Sequence, residues 1–147
     1  MKSRRWVVAS VAIAVVGGGL AACSLFKDEV RTLSKKDCTR PGLCEVQVVV
    51  ANCAPTTNDP IVVDKAGGAI EIRWLAPEGY VFTADGIKFD SSPVIDKKPG
   101  IQDGGKRWMV VDRPNKEAVR SKYRIQVKST SLLGTVCTGP DPFIANE

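Results

Sequence analysis

Lys122-Tyr123-Arg124-Ile125-Gln126-Val127-Lys128 alternates polar and large apolar side chains without a break. A strand turns successive side chains to opposite faces, so Tyr123, Ile125 and Val127 share one face and the polar residues take the other. This is the pattern of a half-buried strand. The same period of two recurs upstream. Ile70, Ile72 and Trp74 fall on one side and Glu71 and Arg73 on the other, directly after Gly67-Gly68. Residues 45–50 form a β-branched run ended by Asn52. Pro77-Glu78-Gly79 is a turn ahead of Tyr80-Val81-Phe82, and Asp85-Gly86 is a hairpin signal ahead of Ile87-Lys88-Phe89. Residues 108–111 make a short strand stopped by Asp112-Arg113-Pro114, and 132–138 and 143–145 supply the last strands. Only 116–120 offers a helical turn. The spacing predicts an all-β domain over 38–147, an antiparallel β-sandwich of about seven strands.

The chain has 147 residues, 21 basic and 16 acidic, for a net charge of +5. With 44% hydrophobic and 25% charged residues it has the balance of one globular domain. It contains no histidine. That excludes Ser–His–Asp and Cys–His nucleophile pairs, imidazole-ligated zinc and His-plus-Cys copper sites.

Residues 1–22 read as a secretory signal. Lys2, Arg4 and Arg5 give a positive start, an apolar run follows from Trp6, and Gly17-Gly18-Gly19 precedes Leu20-Ala21-Ala22-Cys23. Leu-Ala-Ala-Cys resembles the lipobox of bacterial lipoproteins. The resemblance implies cleavage before Cys23, a diacylglycerol on its thiol and an acylated amine. It also implies a mature chain of 23–147 attached to the membrane through that lipid. One acyl chain binds a bilayer reversibly, whereas two or three hold it almost permanently, because each buried methylene contributes about 0.8 kcal/mol. In Gram-negative members of that family an Asp after the Cys retains the protein at the inner membrane. Ser24 therefore implies the inner leaflet of the outer membrane, facing the periplasm. The competing reading is an uncleaved anchor. Residues 6–22 are at the lower limit of the ~17–25 residues a spanning helix needs, and three glycines weaken it.

The three basic residues of the signal carry most of the excess charge, leaving 18 basic against 16 acidic residues. The overall basicity is therefore no argument for a nucleic-acid partner. Residues 23–37 are charge-rich and read as a lipidated tether. From Ser24 onward the tether reaches roughly 20 Å as a coil and at most about 50 Å extended.

Beyond Cys23 four cysteines remain, Cys38, Cys44, Cys53 and Cys137. Export places them in an oxidising compartment, where an even number predicts two disulfides. Three pairings are open. The favoured one joins Cys38 to Cys44 across Thr39-Arg40-Pro41-Gly42, and Cys53 to Cys137. A four-cysteine zinc site is disfavoured by the lack of any C-x-x-C pair.

A second resemblance rests on Ile72-x-Trp74, Tyr80-x-Phe82, Gly86-Ile87, Tyr123-x-Ile125 and Asp141-Pro142-x-Ile144-x-Asn146. This order is similar to small exported bacterial sandwich domains with no assigned activity. The look is Ig-like or cupredoxin-like, but copper-free because the histidine ligands of cupredoxins are missing.

Gly100–Arg107 nearly spells a phosphate-binding loop, yet Arg107 stands where Ser or Thr should hold magnesium, and a strand follows instead of a helix. Asp85, Asp90, Asp96, Asp103 and Asp112 are carboxylates of turns and loops, without the alternating pattern of a calcium loop. Arg120, Lys122, Arg124 and Lys128 form a basic stripe along one strand's outward face. It reads as an anion-binding site or as a charged face that resists edge pairing. Trp108, next to Gly104-Gly105-Lys106-Arg107, is a candidate exposed anchor for a partner. No metal or cofactor is expected. The sequence thus points to a lipid-anchored envelope protein with a non-catalytic interaction or structural domain. The alternative is a ligand-binding lipoprotein that captures an anionic glycan or small molecule.

Overall fold

The computed structural model describes residues 33–147, so the expected signal, Cys23 and most of the expected tether lie outside the described residues. The described chain is almost entirely β. Twelve strands are present: β1 Lys36–Cys38, β2 Gly42–Gln47, β3 Val49–Ala51, β4 Ala54–Thr56, β5 Ile61–Val63, β6 Ile70–Leu75, β7 Tyr80–Phe89, β8 Ile95–Gln102, β9 Arg107–Asp112, β10 Val119–Ser129, β11 Val136–Thr138 and β12 Phe143–Asn146. One sheet runs β1-β5-β12-β10-β11, with β7 also paired to β10; a second runs β2-β6-β9-β8; β3 and β4 form a small ribbon.

Two expectations need correction. The strands number twelve rather than about seven, and the sheets are mixed rather than antiparallel: β1 with β5, β5 with β12, and β2 with β6 are parallel pairs. Several of these strands are only three residues long, too short for a period of two to register in sequence. The β1 strand also takes Lys36 and Asp37, which read as tether. Their backbones pair with Ile61 and Val62 despite charged side chains.

The alternation read along β10 holds. Ser121, Tyr123, Ile125 and Val127 are buried, while Arg120, Lys122, Arg124 and Lys128 are exposed. The β6 strand does the same with Ile70, Ile72 and Trp74. These two inward faces meet in one core. The Trp74 ring packs edge-on against Tyr123 at 5.2 Å and Phe89 at 6.3 Å, and Phe82 packs edge-on against Trp108 at 6.2 Å. Each contact joins one large sheet to the other, so the body is sandwich-like. Burial pushes the Tyr123 phenol well above its ordinary value.

Asp85-Gly86 does not make a hairpin. The β7 strand runs through it, and between the pairs Ile87↔Ile125 and Phe82↔Val127 the register shifts. The extra residues bulge out of the ladder. A Cβ on Gly86 would stand 2.7 Å from Phe82 Cβ, so the bulge folds back onto the core where only glycine fits. Residues 116–120 form no helical turn, and Val119 and Arg120 already belong to β10.

The two disulfides are Cys38–Cys44 and Cys53–Cys137, the favoured pairing. The second ties the β3–β4 turn to β11. Beside it, a Cβ on Gly139 would lie 1.8 Å from the Pro55 carbonyl oxygen, while the Gly139 N–H donates to Ile125 at 3.0 Å. Neither backbone can yield freely. Gly139→Ala is therefore expected to destabilise by about 1–3 kcal/mol or more, as overpacking does, measured by urea unfolding.

Candidate functional site

The stripe on β10 is real as a surface feature, but its charges are not equivalent. Arg124 Nε donates to Asp141 Oδ1 at 3.1 Å, and that bond raises the guanidinium above its already high ordinary value. Arg120 lies 5.2 Å over the Phe143 ring, a cation–π contact. Between Arg124 and Lys128 stands Gln126, which accepts from Thr83 at 2.7 Å and donates to Thr138 at 3.4 Å. The stripe is thus broken by a neutral hydrogen-bonded row. Sequence reading missed one member: Lys88 on β7 faces Arg124 directly across the ladder. Like charges opposite one another destabilise a sheet, and Asp141 offsets that here. The pairing of β7 with β10 was the signal needed, and no local pattern carries it.

Trp108 is not an exposed anchor. It is 8% exposed, its ring is part of the core, and its partner across the ladder is Trp74. It alternates inward with Val110 and Asp112. One edge lines a shallow groove of about 250 Å³ with Asp85, Lys88 and Lys97.

Residues 100–107 close the β8–β9 connection through a single tight turn at 103–105, with Asp103, Gly104 and Gly105 all at positive φ. It leads into β9, so there is no helix to cradle a phosphate. Asp103 faces Arg107 at 3.6 Å. Asp96 accepts from the Lys98 amide and from Arg113, and these bonds, the amide first, hold its carboxyl below the usual range. Among the described residues no group of three or more Cys, Asp or Glu side chains could hold a metal ion.

The most constructed polar cluster was not anticipated. Arg40, in the turn closed by Cys38–Cys44, sends its side chain into the core, where it is 1% exposed. Its Nε donates to the Asp64 carbonyl, Nη1 to the carbonyls of Gly68 at 3.0 Å and Asp112 at 2.8 Å, and Nη2 to Asp112 Oδ1 and the Arg113 carbonyl. All five guanidinium donors are engaged. Asn146 Nδ2 donates to both carboxylate oxygens of Asp112 at 2.8 and 3.0 Å. Burial raises the Asp112 carboxyl above its ordinary range, and the bonds from Asn146 and Arg40 pull the other way. Every partner belongs to the chain itself, and the cluster joins β9, β12 and the turn after β1. It is a structural clamp.

Cys23 lies outside the described residues. No protein-family model and no curated protein sequence matches the chain.

Proposed function

We propose that this chain is a lipid-anchored protein of the bacterial cell envelope, whose sandwich-like domain is a non-catalytic interaction or structural module facing the periplasm. The observation that carries this is the cysteine ledger. Four of the five cysteines pair with each other inside the described domain, and Cys23 is the one left over. It stands at the end of Leu20-Ala21-Ala22, behind a positive start and an apolar run. Oxidised pairs fit an exported chain. Growth with a palmitate analogue is expected to label the protein, and Cys23→Ser is expected to abolish the label and leave an uncleaved precursor. An unlabelled native protein, or label that survives the substitution, overturns the reading.

The non-catalytic part rests on the missing histidine and on carboxylates committed elsewhere: Asp96 to Arg113, Asp103 to Arg107, Asp112 to the core clamp. The second reading, capture of an anionic glycan or small molecule, is favoured by one feature, the addition of Lys88 beside Arg124. If it holds, Lys122→Glu with Lys128→Glu lowers co-fractionation with envelope material at low salt, and added salt does the same to the native protein. Unchanged co-fractionation removes this reading.

A further inference from the structure

The tip of the β10–β11 hairpin is a formed turn with the wrong chemistry for a turn in water. Gly134 N–H donates to the Ser131 carbonyl at 2.9 Å, which places Leu132 and Leu133 at the two central positions. Those positions normally carry Gly, Pro, Asn, Asp or Ser. Here both leucines are fully in solvent, Leu132 at 108% and Leu133 at 90% exposure. The turn is also held firmly. Ser129 N–H donates to Thr135 O at 2.8 Å, Ser131 N–H to Ser129 Oγ at 3.1 Å, and Thr130 N–H to Gly79 O at 2.8 Å. Val136, half exposed, extends the apolar surface.

The sheet register shows which way this tip points. Lys36 pairs with Ile61, Ile61 with Ile144, and Ile144 with Ser121, so the start of β1 is level with Ser121 on β10. The β1, β5 and β12 strands run opposite to β10. Going backward from Lys36 to Leu33, which bridges Asn58, is therefore going forward along β10 toward the tip. The described chain thus begins at Leu33, level with Arg124, and its backward direction there is toward the end of β10 that carries Leu132 and Leu133. From the level of Leu33 to the tip is roughly 23 Å at about 3.3 Å per strand residue. The stretch from Cys23 to Leu33 spans at most about 35 Å, so a lipid on Cys23 reaches the plane of the tip.

Charge agrees. A Cβ on Gly134 would meet Lys128 Cε at 2.8 Å, so the lysine lies over the turn beside the leucines. The β8–β9 turn, whose Gly105 packs against Val81 and Phe82, brings Lys106 to the same end. Of the acids there, Asp103 faces Arg107 and Glu78 sits in the turn before β7.

We infer that the Leu132–Leu133 turn docks into the interfacial layer of the bilayer that holds the lipid anchor, with Lys128 at the headgroups, so that the domain stands tip-down on the membrane. This rests on the anchoring reading. The apolar pair supplies insertion and the lysine the headgroup contact that long basic side chains make at membrane interfaces.

The test uses the full lipidated protein in vesicles of mixed zwitterionic and anionic lipid, carrying Leu132→Trp. The native Trp74 and Trp108 are buried and give a constant background. Docking is expected to shift the added emission to shorter wavelength and to lose it to lipids brominated near the headgroup. Lys116→Trp, at the opposite end of β10, is expected to keep a water-exposed spectrum. Protein that floats with vesicles while position 132 stays unquenched overturns docking and leaves the anchor standing. Protein that does not float overturns both. A concentration-dependent shift without lipid means that a second copy covers the tip, which also overturns the proposal.

Discussion

Asp112→Ala is expected to destabilise the domain by about 3–5 kcal/mol, because it leaves the Arg40 guanidinium charged in the core without its counter-ion. The geometry leaves little room for repair. Arg40 is 1% and Asp112 0% exposed at the side chain, so water cannot reach the orphaned charge without opening the sandwich. Asn146 loses both of its acceptors in the same step. Urea unfolding followed by tryptophan fluorescence measures the change. The companion variant is Arg40→Met with Asp112→Leu. Removing both charges together and filling their volume is expected to recover much of the loss, since buried ion pairs contribute little net stability against an apolar isostere. If the single and double variants are equally destabilised, the cost lies in packing and in the lost hydrogen bonds to Asn146 and the surrounding carbonyls, not in the unpaired charge.

Loss of the Cys53–Cys137 bond is expected to be comparable. In the chain-entropy model a loop of 84 residues restricts the unfolded state by about 4–5 kcal/mol, against roughly 2 for the six-residue Cys38–Cys44 loop. The paired substitution Cys53→Ser/Cys137→Ser avoids a free thiol, and the urea midpoint reads the result. The short loop's variant, Cys38→Ser/Cys44→Ser, is expected to lose less from chain entropy, although it also frees the turn that carries Arg40. A ranking in which the long bridge contributes nothing measurable would mean that the unfolded chain is already compact enough to hold those ends together.

Where a strand is long and half buried, its residues announce it. The β10 and β6 strands were legible from one alternating stretch each, and the inward direction of Trp74 and Tyr123 followed from phase alone. Partner choice was not legible. Parallel neighbours such as β5 and β12 lie far apart in sequence, and three-residue strands leave too few positions for a period. Asp85-Gly86 misled because a turn dipeptide and a bulge ask for the same small, permissive residues. Only the register against β10 tells them apart.

The clamp shows the same limit in another form. Asp112 is in phase with Trp108 and Val110, and Asn146 with Ile144, so their inward direction is legible as alternation carried one step past the apolar run. Reading Asp112 as a strand stop ended the pattern one residue early. Nothing local marks Arg40, whose burial depends on Asp64, Gly68 and Asp112 arriving from three other segments. The basic stripe and the neutral Gln126 within it were visible, but the compensation by Asp141 and the bonds of Gln126 to Thr83 and Thr138 were not. Trp108 was misplaced because its glycine-rich neighbours were read ahead of its phase.

The position of β12 has a consequence for how the chain matures. It lies between β5 and β10, and its residues 143–146 join the two halves of the larger sheet. A polypeptide threaded N-terminus first through a secretion pore delivers β5 some eighty residues before this wedge, about three-quarters of the domain's whole length. Until the wedge arrives, β5 offers an open edge on that side, and assembly must wait for pairings of long sequence separation, which are slow to form. On the export proposed above, folding is postponed until translocation is nearly finished, which keeps the chain threadable.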